Sequence, residues 1–188
     1  MIKELIEKCR TYRRFDESKR IDEGELLSFI KNAANTPSGS NLQPLKYRTV
    51  TDKKDNEELF KHLKWAGYLT DWQGPEEGRR PAGYIIVLGD LEISKNFSTD
   101  LGIAAYALVL SAAEKGIGSC MIGSIDRKRV REYFDIPGRY DILLVIAFGY
   151  PDEKVVLERV VGGNVKYYRD ENEVHHVPKR DIDELILV

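Results

Sequence analysis

The sequence predicts an α+β fold in which helices flank a modest sheet. Two continuous apolar runs, "YIIVLGD" (84–90) and "YDILLVIAFGYP" (140–151), are typical of strands that are buried on both faces. Other segments repeat apolar residues at helical spacing, and the resulting excess of helices over strands favours a layered α+β architecture. The length of 188 residues indicates a single domain, residues 1–188, that is long enough to bury a core.

The chain before the first of these apolar runs contains three predicted helices and one predicted strand. "MIKELIEKC" (1–9) has the apolar spacing of a short amphipathic helix, and a second helix is expected to start after the N-cap residue Asp22. β-branched and aromatic residues predict a strand over 46–52. The segment "NEELFKHLKWAGYLTDW" predicts a helix over 56–72.

The second half is organised around the apolar segment "LGIAAYALVLSAA" (101–113), which predicts a central helix ending near Gly116. "SCMIGSID" (119–126) is expected to be a short strand or turn, and "DRKRVREYFDIP" (126–137) a helix. The chain ends in "ELILV" (184–188), an apolar segment at a terminus. This segment either packs on the core of its own molecule or pairs with the sheet of another subunit.

The composition excludes several classes of protein. A net charge of −2 and a pI near 6.0 give no general attraction for nucleic acid. Two Cys without CxxC spacing and three His predict neither a disulfide framework nor a metal site. The N-terminus lacks the apolar core of a signal peptide, and the run over 101–113 is shorter than the roughly 20 residues of a membrane span. A cytoplasmic protein that binds no membrane is expected.

Four stretches have the residue types of a binding site. "NTPSGSNLQP" (35–44) has no charge, so it is either a plain loop or a surface for a planar polar ligand. The basic clusters in "CRTYRRF" (9–15) and "VPKRD" (177–181) are either solvated surface or anion ligands that converge on one phosphate. "GIGSCMIGSID" (116–126) is either a Gly-rich turn or a segment whose N–H groups face a cofactor ring.

Taken in order, these stretches resemble the nitroreductase-like family of FMN-dependent flavoproteins. "CRTYRRF" is similar to the family signature R-R-S-x-R-x-F, and "TPSGSNLQP" is similar to its P-S-x-x-N-x-Q-P loop. The central helix with its Gly-rich turn, "AFGYPDEK" and "YRDENEVHHVPKR" resemble later parts of the family pattern, so the matches extend from residue 9 to about residue 181.

The resemblance implies a nitroreductase-like fold with a central mixed or antiparallel sheet and a C-terminal arm swapped onto the partner subunit. It also implies a homodimer with FMN at the subunit interface. NADH or NADPH would reduce the flavin, which would then reduce nitroaromatics, quinones or related small-molecule acceptors in a ping-pong reaction. The same fold can carry other chemistry, such as reductive dehalogenation or flavin breakdown, and a non-catalytic flavin-binding module is a further alternative.

The resemblance also assigns site residues, and all of them bind cofactor. The expected ligands of the phosphate and ribityl chain are Arg10, Thr11, Lys179 and Arg180. The expected neighbours of the flavin ring are Arg13 at the pyrimidine edge, the loop residues Pro37, Ser38, Gly39, Ser40, Asn41 and Gln43, and the turn residues Ile122, Gly123 and Ser124. No side chain is expected to act as a catalytic acid, base or nucleophile, because the flavin carries the hard chemistry.

Three aromatic residues lie between the first two predicted strands, and the sequence leaves two roles possible for them. Trp65, Tyr68 and Trp72 either stack on an aromatic acceptor or pack as ordinary core and surface residues. His175 and His176, near the C-terminal basic motif, are interpreted as structural.

Overall fold

The computed structural model describes residues 2–187. The helices in this range are α1 (Ile2–Lys8), α2 (Glu23–Ala34), α3 (Lys53–Lys61), α4 (Ser98–Glu114) and α5 (Arg127–Tyr133). The strands are β1 (Leu45–Val50), β2 (Gly83–Asp90), β3 (Gly118–Ile122), β4 (Tyr140–Gly149), β5 (Val155–Arg159), β6 (Tyr168–Arg169) and β7 (His175–Lys179). No helix in the described range combines the length and the apolarity needed to cross a bilayer.

The main sheet has four strands in the order β1-β2-β4-β3, and every neighbouring pair is antiparallel. The two strands predicted to be buried on both faces, β2 and β4, occupy the centre. All eight residues of β2 are buried, as its continuous apolar sequence requires. The predicted α+β class is therefore confirmed, and of the mixed or antiparallel sheet that the resemblance implies, the main sheet is the antiparallel kind.

Alternate residues of the central strands serve two separate cores. Ile85 and Ile146 point to the face covered by α2 and α4, where they pack with Phe29 and Leu108. The neighbouring Ile86 points to the other face, which is covered by α3 and α5. This period of two is the ordinary geometry of a strand, and it leaves each face of the sheet with its own helical layer.

The local signals for helix ends are confirmed at α2 and α4. The carboxylate of Asp22 accepts the N–H of Glu25 at 2.8 Å, as expected for an N-cap. After α4, Gly116 takes a left-handed backbone conformation with φ of 73°.

The helix predicted over 56–72 is wrong in its extent. Asp52 caps α3, accepting the N–H of Lys54 at 2.9 Å, so the helix begins at residue 53 and ends at residue 61. Beyond this point Leu63 forms a bridge with Ile125, and long-range pairing with the chain after β3 replaces further helical turns.

The C-terminal region forms a second, three-stranded sheet in the order β5-β7-β6, in which β5 and β7 are parallel. In the single chain, this region therefore pairs with its own residues. Of the predicted apolar end, Leu185, Ile186 and Leu187 are exposed rather than packed on the core, and Val188 lies outside the described residues.

Gly149 allows the N-terminal segment to approach the end of β4. A Cβ placed on Gly149 would lie 2.7 Å from the Cδ1 and Cγ atoms of Phe15, whose side chain is fully buried. We expect Gly149→Ala to destabilise the protein by about 1–3 kcal/mol, because the ring has no free volume to move into.

Urea unfolding measured by circular dichroism tests this expectation, with Gly138→Ala as the control because nothing lies within 4 Å of a Cβ at that position. Equal unfolding midpoints for the two variants would contradict the packing argument.

Candidate functional site

The basic N-terminal segment lies along the outer edge of β3. Thr11 forms a parallel bridge with Ser119, and the N–H of Tyr12 donates to the carbonyl of Ser119 at 2.9 Å. Gly118 makes this close approach possible, because a Cβ there would lie 2.8 Å from the Cδ2 atom of Tyr12. The segment satisfies backbone groups that an edge strand would otherwise leave unpaired.

Arg10 and Arg13 both carry a guanidinium Nε that is buried and has no hydrogen-bond partner within residues 2–187. The Arg10 guanidinium also donates to the carbonyl of Ile6 and forms no ion pair with a described carboxylate. The Arg13 guanidinium donates to Nε2 of His175 at 3.0 Å and lies 4.5 Å from the ring centroid of Tyr167. Both guanidinium groups thus retain hydrogen-bonding capacity.

His175 is neutral at physiological pH. Its side chain is fully buried, and burial, with the positive charges of Arg13 and Arg169, lowers its pKa to about 4. An arginine can only donate, so Nε2 of His175 is the acceptor and the ring proton resides on Nδ1. This Nδ1 is buried with no hydrogen-bond partner in the described part of the chain.

Glu153 holds the basic segment in place. Its carboxylate accepts the N–H of Arg13 and, at 3.2 Å, the N–H of Arg14. The same carboxylate pairs with the guanidinium of Arg169 at 3.1 Å, and its side chain is almost fully buried. One acidic residue thereby joins the N-terminal segment to the C-terminal sheet.

The three aromatic residues left open by the sequence have different surroundings. Trp65 is part of the core and packs against Phe60, whereas Tyr68 is exposed and contacts the ring of Tyr167. The guanidinium carbon of Arg169 lies over the ring of Trp72, 4.3 Å from the ring centroid. The core interpretation is therefore correct for Trp65.

The uncharged loop is a compact turn attached to α4. The N–H of Gly39 donates to the carboxylate of Asp100 at 2.7 Å, and the hydroxyl of Ser38 accepts the N–H of Gln43 at 2.9 Å. Ser40, Asn41 and Gln43 adopt left-handed backbone conformations. These conformations are unfavourable for residues with side chains, so the buried Asp100 helps to hold the loop in its shape.

The loop borders a cavity of about 260 Å³. Pro37, Ser38 and Gln43 line it on one side, and Tyr47 and Asp100 line it on the other. Burial, followed by the charge of Asp100, raises the pKa of Tyr47, so its phenol remains protonated.

The Gly-rich turn continues β3 on the same strand that carries the basic segment. Ile122 is buried, Gly123 has open space where a Cβ would lie, and the carbonyl of Ser124 accepts the N–H of Lys64 at 3.0 Å. A ring could approach the backbone at Gly123 without meeting a side chain on that residue.

The C-terminal basic pair lies at the far end of β7. Lys179 is opposite Arg159 in the sheet register and makes no ion pair within residues 2–187, while Arg180 pairs with Glu184 at 2.9 Å. The residue of β7 that contacts the basic segment is His175, at the start of that strand.

The predicted residues thus form three groups in the single chain, one of which is the pair Lys179 and Arg180 at the end of β7. Arg10, Thr11 and the turn 122–124 lie along β3, at one edge of the main sheet. The loop 37–43 leads into β1, at the opposite edge, three inter-strand spacings or about 14 Å away.

Of three residues that hold the site together, sequence reasoning missed Glu153 and Asp100, and it interpreted His175 as structural without identifying its partner Arg13. Each acts through a contact with a residue at least 61 positions away in the chain. Local patterns carry no signal for such contacts, although "EVHHVPKR" did place His175 beside a motif of interest.

An antiparallel α+β fold with a basic segment on its edge strand defines the class of protein, and comparison with known proteins identifies the family. The family model described as "Nitroreductase family" matches residues 6–150. The chain belongs to the nitroreductase family.

Relatives and solved structures agree with this assignment. The chain is 26% identical over 168 residues to an iodotyrosine deiodinase of Thermotoga neapolitana, covering 81% of this chain and 90% of that protein. A nitroreductase family protein of Streptococcus pneumoniae TIGR4 has a TM-score of 0.74 at 22% identity, with 100% of both chains covered. An FMN-dependent nitroreductase of Clostridium difficile R20291 has a TM-score of 0.67 at 26% identity, covering 82% of this chain and 89% of that chain.

The low pKa of His175 predicts a loss of stability in acid. Well above pH 6.5 the imidazole is neutral in both the folded and the unfolded chain, so it contributes no pH dependence there. Between pH 6.5 and about 4 the unfolded chain binds a proton that the folded chain does not, and unfolding becomes easier as the pH falls. The full effect is on the order of 3 kcal/mol.

Urea unfolding at several pH values between 4 and 7 measures this dependence, and NMR titration of the imidazole measures the pKa directly. His175→Gln removes the titrating group and should remove this part of the slope, whereas the control His62→Gln should retain it. An imidazole of His175 that titrates near 6.5 in the folded protein would contradict the assignment.

Proposed function

We propose that this protein binds FMN and uses NADH or NADPH to reduce small organic acceptors such as nitroaromatics or quinones. Membership of the nitroreductase family supports an oxidoreductase activity, and the similar solved structure from Clostridium difficile R20291 is named as FMN-dependent. The observation that carries the proposal is the state of Arg10, a guanidinium with a buried, unpartnered Nε and no carboxylate partner in the described chain. Desolvated cations are costly without an anion, and a cofactor phosphate would supply one.

The assigned residues would hold different parts of FMN. Arg10 and Thr11 would bind the phosphate and ribityl chain, together with Lys179 and Arg180, which lie apart from them in the single chain. Arg13 would contribute its free donors to the pyrimidine edge of the ring. The loop 37–43 would border the ring plane with amide and hydroxyl groups, and the turn 122–124 would offer backbone N–H groups.

The bound flavin would supply hydride acceptance and hydride donation, and the protein would supply position and charge. Arg13 is oriented by His175 and Tyr167. At the pyrimidine edge of a bound flavin, its positive charge would stabilise the negative charge of the reduced ring. The uncharged loop would allow close contact with the ring without the cost of desolvating a charged side chain.

A homodimer would reconcile the positions of the loop and the turn. These two groups lie at opposite edges of the main sheet in one chain, so a partner's loop would have to complete each site. Exposed apolar side chains support such an interface, among them Ile6 on α1 and Ile103 and Tyr106 on α4. The exposed apolar residues 185–187 would reach the partner as a C-terminal arm.

Reductive dehalogenation is the second candidate activity. It is favoured by the similarity of this chain to the iodotyrosine deiodinase of Thermotoga neapolitana. The use of NAD(P)H is supported by a relative in Streptococcus pyogenes serotype M6, which is named as a candidate NAD(P)H nitroreductase and is 26% identical over 183 residues, covering 80% of this chain and 90% of that protein.

Turnover measurements separate the two activities. The FMN-loaded protein is mixed under anaerobic conditions with NADH or NADPH and then with a nitroaromatic, a quinone or a halotyrosine. We expect multiple turnovers with the nitroaromatic or the quinone. Halide release from the halotyrosine at a higher kcat/KM would favour dehalogenation, and reduction by neither nucleotide would contradict the proposed use of NAD(P)H.

Arg10→Ala should weaken FMN binding. The loss of a charge-assisted contact with the phosphate corresponds to roughly a tenfold increase in Kd or more. Lys8→Ala is the matched control, because it removes a positive charge two residues earlier on the exposed side of α1. Fluorescence titration of the apoprotein with FMN measures both values, and an Arg10→Ala protein with unchanged affinity would exclude Arg10 from the site.

A further inference from the structure

A second cavity lies on the α3 side of the main sheet, where β1 ends and β2 begins. Its volume is about 340 Å³, larger than that of the cavity beside the uncharged loop. The cavity beside the loop reaches the start of β1 at Tyr47, whereas this cavity begins at Thr51, just after the end of β1, and no residue lines both cavities. None of the residues assigned to FMN lines this cavity.

Tyr84 forms the floor of the cavity and has an unused hydroxyl. Only 1% of the residue is exposed, and its ring packs in the core with Phe15 and Leu59. Within residues 2–187 the hydroxyl has no hydrogen-bond partner, although a buried tyrosine hydroxyl usually has one. Burial raises the pKa of Tyr84, so the group keeps its proton and is a donor.

Arg80 supplies a guanidinium in a fixed position on the cavity wall. Its side chain lies over the ring of Phe60, 4.5 Å from the centroid, and its backbone N–H donates to Glu17 at 3.1 Å. The guanidinium itself makes no hydrogen bond or ion pair with a described residue, and Arg20 on the same wall is equally unpaired. A planar guanidinium suits the two oxygens of a carboxylate.

The remaining lining favours a small anion that also has an apolar part. Four basic residues and two acidic residues line the cavity, which leaves an excess of two positive charges: Lys19, Arg20, Lys53 and Arg80 against Glu17 and Glu57. Phe60, Ile21 and Pro81 provide apolar surface beside these charges. The two acidic residues favour an anion of low charge, because a dianion would meet more repulsion.

We propose that this cavity binds a small organic monocarboxylate. The carboxylate would accept hydrogen bonds from the Tyr84 hydroxyl and the Arg80 guanidinium, and its hydrocarbon part would rest against Phe60 and Ile21. This site is separate from the one proposed for FMN, and it depends neither on flavin binding nor on reductase activity.

Isothermal titration of the full-length protein, both with and without FMN, tests the proposal with benzoate as the probe. We expect saturable binding of one benzoate per chain, with the same affinity in both forms. Benzyl alcohol keeps the ring but lacks the carboxylate, and inorganic phosphate keeps an oxyanion but lacks the apolar part. Both should bind at least tenfold more weakly.

Two variants locate the binding residues. Tyr84→Phe should weaken benzoate binding about tenfold and leave the melting temperature unchanged or raised, since the hydroxyl has no partner in the described chain. Arg80→Gln should weaken benzoate binding at least as much. Arg80 is only partly buried, so this variant should fold, and it still tests the site if Tyr84→Phe folds poorly. Lys128→Gln on α5 is the control and should bind benzoate normally.

Several results would overturn the proposal. They are the absence of saturable benzoate binding, equal affinity of the wild-type and Arg80→Gln proteins, and equal affinity for benzoate and benzyl alcohol. Phosphate binding as tight as benzoate binding would reject a carboxylate site in favour of a general oxyanion site. Competition between benzoate and FMN would place benzoate in the flavin site instead.

Discussion

The buried carboxylate of Glu153 is the contact on which the candidate site depends. It accepts backbone N–H groups from the N-terminal arginine segment and pairs with Arg169 near the C-terminal end of the chain. Removal of this acceptor would leave donors from two parts of the chain unsatisfied in a buried environment, at a cost of about 1–3 kcal/mol for each neutral group. The acidic residue therefore brings the two ends of the sequence together beside β3.

The close approach of these segments also requires glycine at two positions of the sheet. Gly118 and Gly149 are neighbours on β3 and β4, and a Cβ at either position would overlap with Tyr12 or Phe15. The hydrogen bonds and ion pair of Glu153 and the space left by the two glycines therefore act at the same end of the sheet. This combination leaves the guanidinium groups of Arg10 and Arg13 partly desolvated and still able to donate hydrogen bonds.

The two proposed sites lie at different places on the main sheet. The proposed flavin ligands lie along the strand edges and in the loop attached to α4, whereas the proposed carboxylate site lies under α3. None of the residues assigned to FMN lines the carboxylate cavity, so each site can be altered by substitution without changing a residue of the other.

Much of this protein follows from its sequence. The central strands could be recognised because 84–90 and 140–149 are continuously apolar, and the ends of α2 and α4 because Asp22 and Gly116 have local capping chemistry. The family could be recognised from short stretches in the correct order.

Only the tertiary structure decided where α3 ends, which residue of β7 meets Arg13, and how Asp100 holds the uncharged loop. Each of these depends on a contact between residues that are far apart in the chain. Such a contact leaves no periodicity or capping signal in the local sequence, because its energy arises only when the packed sheet brings the two residues together.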